Sequence, residues 1–366
     1  VNKIPLIDLG AQYNELKTEI NEALRRVLES GVYIAGPEVE ALEREIAVLT
    51  EARYAVSVAN GTDALLLALE AAGIGPGDEV ITTAYTFFAT AEAIARRGAT
   101  PVFADIDENS YNLSPEAAAA KITPKTKAII PVHLFGHPAD MDAFQKLALL
   151  HNLTIIEDAC QAIGATYNNR PLGAIGDMGC FSVFPTKNLG GFGDGGIVVT
   201  NNEKHAERVR LLARHGSRKK YFHETIGCNS RMDPLQAAAI RVKLAKLHEW
   251  NARRRDAASY YNQELAGAAL KLPAAASHVQ HVYHLYVLQH DNRGRLAADL
   301  RKEGIATGHY YPCPLHLQAA FSYLGYKEGD LPVTERACKL AIALPLSPHM
   351  TRRQQSYIVE KVKQYG

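Results

Sequence analysis

Between about residue 55 and residue 200 the chain alternates short β-branched and apolar runs with longer stretches in which apolar positions recur at helical spacing. Seven of these runs read as strands: Ala55–Ala59, Val80–Thr83, Pro101–Asp105, Ala128–His133, Thr154–Glu157, Gly179–Val183 and Gly196–Thr200. Between them, Ser114 followed by Pro115 reads as an N-cap with proline at the first helical position. Asp140 is placed to cap a helix carrying Phe144, Leu147 and Leu150. Strands in alternation with helices predict an α/β unit with a mixed, mostly parallel sheet flanked by helices on both faces.

Past Asp233 the pattern changes. A helical stretch from Pro234 to about Leu265 carries Leu235, Ile240, Leu244 and Leu247, with the basic run Arg253–Arg255 in its middle, and is predicted to link two lobes. A strand-like His281–His290, a helix near Gly294–Glu303, a turn at Gly304, a proline-rich loop at 311–316 and a last helix over Arg352–Tyr365 then describe a smaller α+β unit. The predicted division is a large domain, 1–245, with an N-terminal arm, and a small C-terminal domain, 246–366. A chain of 366 residues has enough length for two such cores.

Composition narrows the partners. Forty Lys and Arg against 39 Asp and Glu leave a formal charge of +1, so no overall field draws the molecule onto nucleic acid or an anionic membrane. Any anion must meet a local site. The five cysteines (Cys160, Cys180, Cys228, Cys313, Cys338) are odd in number and lack a CxxC pair, which argues against a disulfide framework or a structural zinc site. No metal site is predicted, and a reducing cytoplasm fits. The first ten residues carry no apolar run of signal-peptide length, and no run of 18 apolar residues occurs.

Candidate chemistry concentrates in four segments. Phe181–Thr200 places Lys187 in a glycine-rich connection between two apolar strands, which suits either an ordinary loop lysine or an amine held for chemistry. Thr154–Asp158 is an apolar strand ending in two carboxylates, and functional groups in α/β sheets collect at strand carboxyl ends. Asp158 is thus placed to hold a pyridine nitrogen protonated or, alternatively, to cap a helix. Val58–Leu69 runs from a strand through Gly61 and Thr62 into an apolar helix, a junction that can receive a phosphate or simply turn the chain. In Thr83–Thr90, Phe87 can stack on a cofactor ring or pack in the core.

These segments, in this order, resemble the DegT/DnrJ/EryC1/StrS family of sugar aminotransferases, within the broad fold group of the aspartate aminotransferases (fold type I). The resemblance runs from Pro5 through Ser30–Pro37, Gly75–Val80, Pro131–Asp140, Glu157–Ala162 and the lysine segment to Asn229–Ala237 and Tyr311–His316. It implies a pyridoxal 5'-phosphate enzyme in which Lys187 is the catalytic lysine joined to the cofactor and Asp158 the partner of the pyridine nitrogen. Gly61, Thr62 and Ser182 stand at phosphate-binding positions, Phe87 at the ring-stacking position, and Gln161 beside the phenolic oxygen. Asn229 stands where the family reaches the phosphate from a neighbouring subunit, which implies a homodimer with shared active sites. Two positions depart from the pattern: Phe184 replaces a frequent tyrosine, and Cys160 a common alanine.

The resemblance also implies the substrates. L-glutamate is the expected amino donor, and a nucleotide-linked keto sugar the acceptor. His215–Gly227, taken with Asn229–Arg231, resembles the branch that aminates C3 of dTDP-3-keto-6-deoxyhexoses; UDP-linked 3-keto sugars and C4 amination are alternatives. Arg218, Lys219 and Lys220 could meet the nucleotide diphosphate or be solvated loop charge. Tyr33, Tyr221, Tyr311 and His316 are further substrate-binding candidates. A dehydratase on this scaffold is disfavoured because such relatives carry histidine in place of the lysine. A non-catalytic regulator sensing a sugar or cofactor is disfavoured because lysine, aspartate and phosphate turn are all kept. A phosphate-loop reading of Gly190–Gly196 fails for lack of a GxxxxGK[ST] pattern.

Overall fold

In the computed structural model, which describes residues 3–366, all seven runs read as strands join one sheet. Val1 and Asn2, at the head of the N-terminal segment, lie outside the described residues. The strand order is Tyr54–Val58, Gly196–Thr200, Met178–Ser182, Thr154–Asp158, Thr126–Ile129, Glu79–Thr83, Thr100–Ala104. The last five pair in parallel, whereas Gly196–Thr200 runs antiparallel to both its neighbours. Six strands therefore share one direction, and Val58, Thr83, Asp158 and Ser182 all end at the same edge.

Helices cover both faces. Gly61–Ala71 and Ala89–Arg96 bury Leu65, Leu69 and Ile94 with Val56, Val80 and Met178, and Met141–His151 buries Phe144 with Ile81 and Ile155. Ser114 accepts from Ala117 N–H at 3.1 Å, and Asp140 from Ala143 N–H at 3.2 Å, as their cap positions predict.

A separate apolar cluster joins Tyr261, Tyr286, Leu288, Leu296, Ile342, Leu344, Ile358 and Val362, around the antiparallel pair Tyr286–Gln289 and Ala341–Leu344. Ile4 packs into it and bridges to Ile305, so the start of the described chain is fastened to this unit rather than to the large sheet.

Three stretches differ from expectation. The helix read from Pro234 to Leu265 is two, Pro234–Leu244 and Leu247–Glu264. At the break Lys246 N–H bonds Lys243 O at 2.9 Å in a tighter turn. Beyond it Trp250 packs on Leu16 and Ile20, and Ala257 and Tyr261 reach the second cluster. The strand read over His281–His290 is confined to Tyr286–Gln289, because the residues before it wrap the Gly136 turn. There Val282 N–H bonds Gly136 O at 3.1 Å, and Tyr283 takes a φ of +45°. The strand read to His133 ends at Ile129, since Pro131 has no N–H for the ladder. Pro131 O still accepts Asp158 N–H at 2.9 Å, and His133 N–H donates to Asp158 O at 3.0 Å, which fixes the backbone of that aspartate.

Candidate active site

Four of the shared strand ends deliver one group of side chains. Val58 leads to Asn60, which accepts Asp63 N–H at 2.8 Å and so starts the helix Gly61–Ala71 with Gly61 and Thr62 as its first residues. Their N–H groups belong to the unpaired first turn, where an anion is favoured. The sheet register sets Gly196 between Val58 and Ser182, and this brings the turn against Ser182. A Cβ on Gly196 would collide with Asn60 O; one on Gly61 would come within 2.8 Å of Ser182 Cβ and 3.1 Å of Cys160 Sγ. Only glycines allow this approach, and it leaves two free N–H groups beside a hydroxyl.

Asp158, buried at its strand end, has both oxygens held: Thr90 Oγ1 donates to Oδ2 at 2.8 Å, and Cys160 N–H to Oδ1 at 3.2 Å. The second contact is a local turn and no helix follows, so the helix-capping alternative falls away. Thr90 lies in the first turn of Ala89–Arg96, four residues past Thr86 in the bend before it, whose Oγ1 is 3.0 Å from that of Thr90. Between them Phe87 leaves 58% of its surface exposed, whereas Phe88 is the ring that packs inward, 5.2 Å from Phe321. Phe87 is therefore available to lie on a ligand.

Lys187 follows Ser182 in a turn closed by its N–H to Phe184 O at 2.8 Å. Burial pulls its amine below the ordinary lysine value, while Cys160 and Asp158 act in the opposite direction. Burial also pushes the Cys160 thiol well up, so it stays protonated near neutrality and Asp158 is the charged neighbour of the lysine.

Gln161 is the fifth member. Its Oε1 accepts Phe135 N–H at 2.8 Å, which turns Nε2 toward Tyr311 Oη at 3.0 Å. Tyr311 thus accepts from Gln161, and burial raises its phenol well above the usual range, which keeps its own proton for donation.

Several groups behind Lys187 carry no sequence signal. Asn188 Nδ2 donates to Asn251 Oδ1 at 2.8 Å and to Val282 O at 3.0 Å, tying the lysine turn to the linking helix. Lys243 donates to Gly190 O at 2.7 Å and to Gln12 Oε1 at 3.0 Å, clamping the glycine-rich loop to the N-terminal helix. His284 is driven well below its ordinary value by burial, then by Lys187 and by Arg254, and is neutral.

The remaining candidates lie outside this group. Asn229 is exposed, bridged to Arg214, and next to Ser230, whose Oγ accepts Ala59 N–H at 3.0 Å and donates to Asp63 at 2.7 Å. Arg218 and Lys219 stand on an exposed hairpin, Ser217–Lys219 with Phe222–His223; Arg218 lies 3.5 Å from Glu207 and 3.4 Å from Glu224. Tyr221 at its tip is 81% exposed, and Tyr33 is exposed with its hydroxyl donating to Leu28 O at 3.0 Å. His316 is buried, its Nε2 3.1 Å from Glu335 Oε1, although Leu315 N–H to Ala84 O at 2.9 Å ties its loop to the Phe87 segment. Cavities of about 620 Å3 beside Arg241 and about 400 Å3 beside Arg255 share no lining residue with the Lys187 group.

Comparison with known proteins gives the family and its relatives. The model of the DegT/DnrJ/EryC1/StrS aminotransferase family matches residues 14–363. The pleiotropic regulatory protein of Geobacillus stearothermophilus is 48% identical, over 99% of this chain and 98% of its own length. The dTDP-3-amino-3,4,6-trideoxy-alpha-D-glucose transaminase of Streptomyces venezuelae is 45% identical, over 100% and 96%. The UDP-N-acetyl-3-dehydro-alpha-D-glucosamine 3-aminotransferase of Acidithiobacillus ferrooxidans is 43% identical, over 98% and 97%. Among solved structures, S. venezuelae DesV in complex with a ketimine intermediate superposes with a TM-score of 0.98 at 45% identity, over 100% of this chain and 99% of that one. The NtdA structure from Bacillus subtilis, with bound cofactor PMP, gives a TM-score of 0.92 at 31% identity, over 100% and 85%.

Proposed function

The chain belongs to the DegT/DnrJ/EryC1/StrS aminotransferase family, and we propose that this nucleotide-sugar aminotransferase takes its amino group from L-glutamate and places it on C3 of a dTDP-3-keto-6-deoxyhexose. Its cofactor is pyridoxal phosphate, and the strand-edge group fits it. The observation that carries the reading is the convergence of a half-buried lysine, a buried carboxylate and a glycine-tight anion cradle on one sheet edge.

When bound, pyridoxal phosphate supplies a cationic ring that takes up the electrons left as a Cα proton departs. Each residue serves that chemistry. Asp158 places its charge where a pyridine nitrogen must stay protonated. Gly61, Thr62 and Ser182 would hold the phosphate with N–H groups and a hydroxyl. Phe87 would cover a ring face, and the fixed amide of Gln161 would donate to the phenolic oxygen. Lys187 is the covalent anchor and the acid and base: its lowered amine gives up a proton more readily than a surface lysine, and Asp158 keeps the cationic form within reach. Asn229 completes the phosphate contacts from a second copy of the chain.

The sugar assignment draws support from the dTDP-sugar transaminase relative, and the UDP-sugar relative at similar identity is the competing acceptor. Arg218 and Lys219 are assigned to the diphosphate, and Tyr33, Tyr221, Tyr311 and His316 to the remainder of the substrate pocket. The division near residue 245 belongs to this reading, supported by the separate apolar cluster of the C-terminal unit. A cytoplasmic site is supported by five free cysteines, and no helix among the described residues is long and apolar enough to cross a membrane.

Glutamate and a panel of dTDP- and UDP-linked 3- and 4-keto sugars, with the new C–N bond located by NMR, test the proposal. Preferred turnover of a dTDP-3-keto-6-deoxyhexose at C3 is expected, and Lys187→Ala should abolish it. Faster turnover of a UDP sugar or a bond at C4 overturns the acceptor. A protein that takes up no pyridoxal phosphate overturns the enzyme in favour of a regulator, as the name of the Geobacillus relative would suggest.

A further inference from the structure

We infer that Thr86 and Thr90 form a one-way hydroxyl chain that sets the orientation of the Asp158 carboxylate, and that both are positioning residues for the pyridine-nitrogen contact. The inference rests on the role given to Asp158 above.

Proton counting fixes the direction of the chain. A carboxylate only accepts, so the single Thr90 proton goes to Asp158 Oδ2 at 2.8 Å. Thr90 then has no proton left for Thr86, and the 3.0 Å contact between their oxygens must be a donation from Thr86 to Thr90. Both residues are at most 2% exposed, so water cannot replace either donor without opening the helix start. A hydroxyl that itself accepts a hydrogen bond becomes a better donor, and a bond to a charged acceptor is roughly twice as strong as a neutral one. With Oδ1 held by Cys160 N–H, the carboxylate is pinned at both oxygens and its plane is set. Each oxygen keeps a further lone pair for a ligand. The same two threonines bracket Phe87 in sequence, so one short bend leading into the helix governs both the residue proposed for the ring face and the carboxylate proposed for its nitrogen.

The test uses the full chain, stripped of cofactor and titrated with pyridoxal phosphate by absorbance. Thr90→Val keeps the side-chain volume and removes the hydroxyl; it should weaken cofactor binding by on the order of tenfold, as for loss of a hydrogen bond to a charged group. Thr90→Ser, which restores the hydroxyl, should return affinity to near the parent. Thr86→Val should weaken binding by about two- to threefold in the parent and by nothing measurable in Thr90→Val, because Thr86 acts only through Thr90. Parent-like affinity in Thr90→Val, failure of serine to rescue, or a Thr86 effect that persists without the Thr90 hydroxyl each overturns the chain. Should Thr90→Val not fold, Thr86→Val and Thr90→Ser decide: parent-like affinity in the first or lost affinity in the second overturns it. Asp158→Asn separates the two readings. If it weakens binding while the threonine variants do not, the hydroxyl chain falls and the role of Asp158 stands; if the parent takes up no cofactor, both fall.

Discussion

A lysine that must carry a proton at one step and release it at the next needs surroundings in which neither form is far out of reach, and Lys187 has them. Burial penalises the ammonium form and pulls the amine down, while the nearby Asp158 carboxylate favours that form. The signs give a prediction. In cofactor-free protein, the pH at which Lys187 reaches half its maximal rate of modification by an amine-directed reagent, followed on its own peptide, should fall below the value of about 10.4 for an exposed lysine. Asp158→Asn removes the opposing charge and should lower it further; an unchanged or higher midpoint would contradict the electrostatic account. Lys187 and Asp158 stood out because the first lies in a connection between apolar strands and the second ends one, whereas Gln161 was reached only through the family resemblance. Thr86 and Thr90 were within reach too, as hydroxyls four residues apart, but spacing cannot say which carboxylate they face. Asn188, Lys243 and His284 gave no signal, since their importance arises from contacts between segments distant in sequence. His316 was visible as a histidine, yet its engagement with Glu335 comes only from the packing of the C-terminal unit.

At the scale of elements, the anion cradle exists because three backbone segments come unusually close. Its two glycines are structural conditions rather than sources of flexibility. In Gly61→Ala the new methyl would lie 2.8 Å from Ser182 Cβ and 3.1 Å from Cys160 Sγ, so the helix start must move away from the strand end. Overpacking of this kind costs about 1–3 kcal/mol. The expected outcome is a drop in affinity for pyridoxal phosphate of at least about tenfold, with a thermal midpoint lowered by only a few degrees; parent-like affinity would mean that the close approach is not what builds the site. The strands themselves were readable, because a buried parallel sheet needs continuous β-branched runs. One error was local, the strand ending at Ile129 because Pro131 lacks an N–H. Two fell where another segment intervenes: the helix broken at Ala245 and Lys246, beyond which Trp250 packs on Leu16 and Ile20, and His281–Leu285 drawn off to wrap Gly136. Local periodicity cannot register a partner from elsewhere in the chain, and the latter two corrections each have one.

Over the whole molecule, the Lys187 edge borders surface that a single copy leaves bare. Phe87 and Phe184 are exposed beside the site, and Tyr33, Ile34, Tyr221, Phe222 and Ile226 are exposed on segments that the family resemblance assigns to substrate or to the neighbouring subunit. Large apolar groups left bare on one copy are what the proposed dimer would cover. In the symmetric dimer proposed above each copy would lend Asn229 to the cradle of the other, and Ser230, tied to Ala59 and Asp63, would hold the lending segment next to its own cradle. Shared sites make complementation possible. Lys187→Ala should be inactive, and Asn229→Ala should lose cofactor affinity and most turnover at limiting pyridoxal phosphate. When the two are mixed, partially unfolded and refolded together, half of the dimers are hybrids, and each hybrid holds one site with both residues intact. Activity at limiting cofactor should then recover to about a quarter of the parent value. If Asn229 instead served the lysine of its own chain, each hybrid would hold one site lacking Lys187 and one lacking Asn229, and mixing would give no more than the average of the two variants.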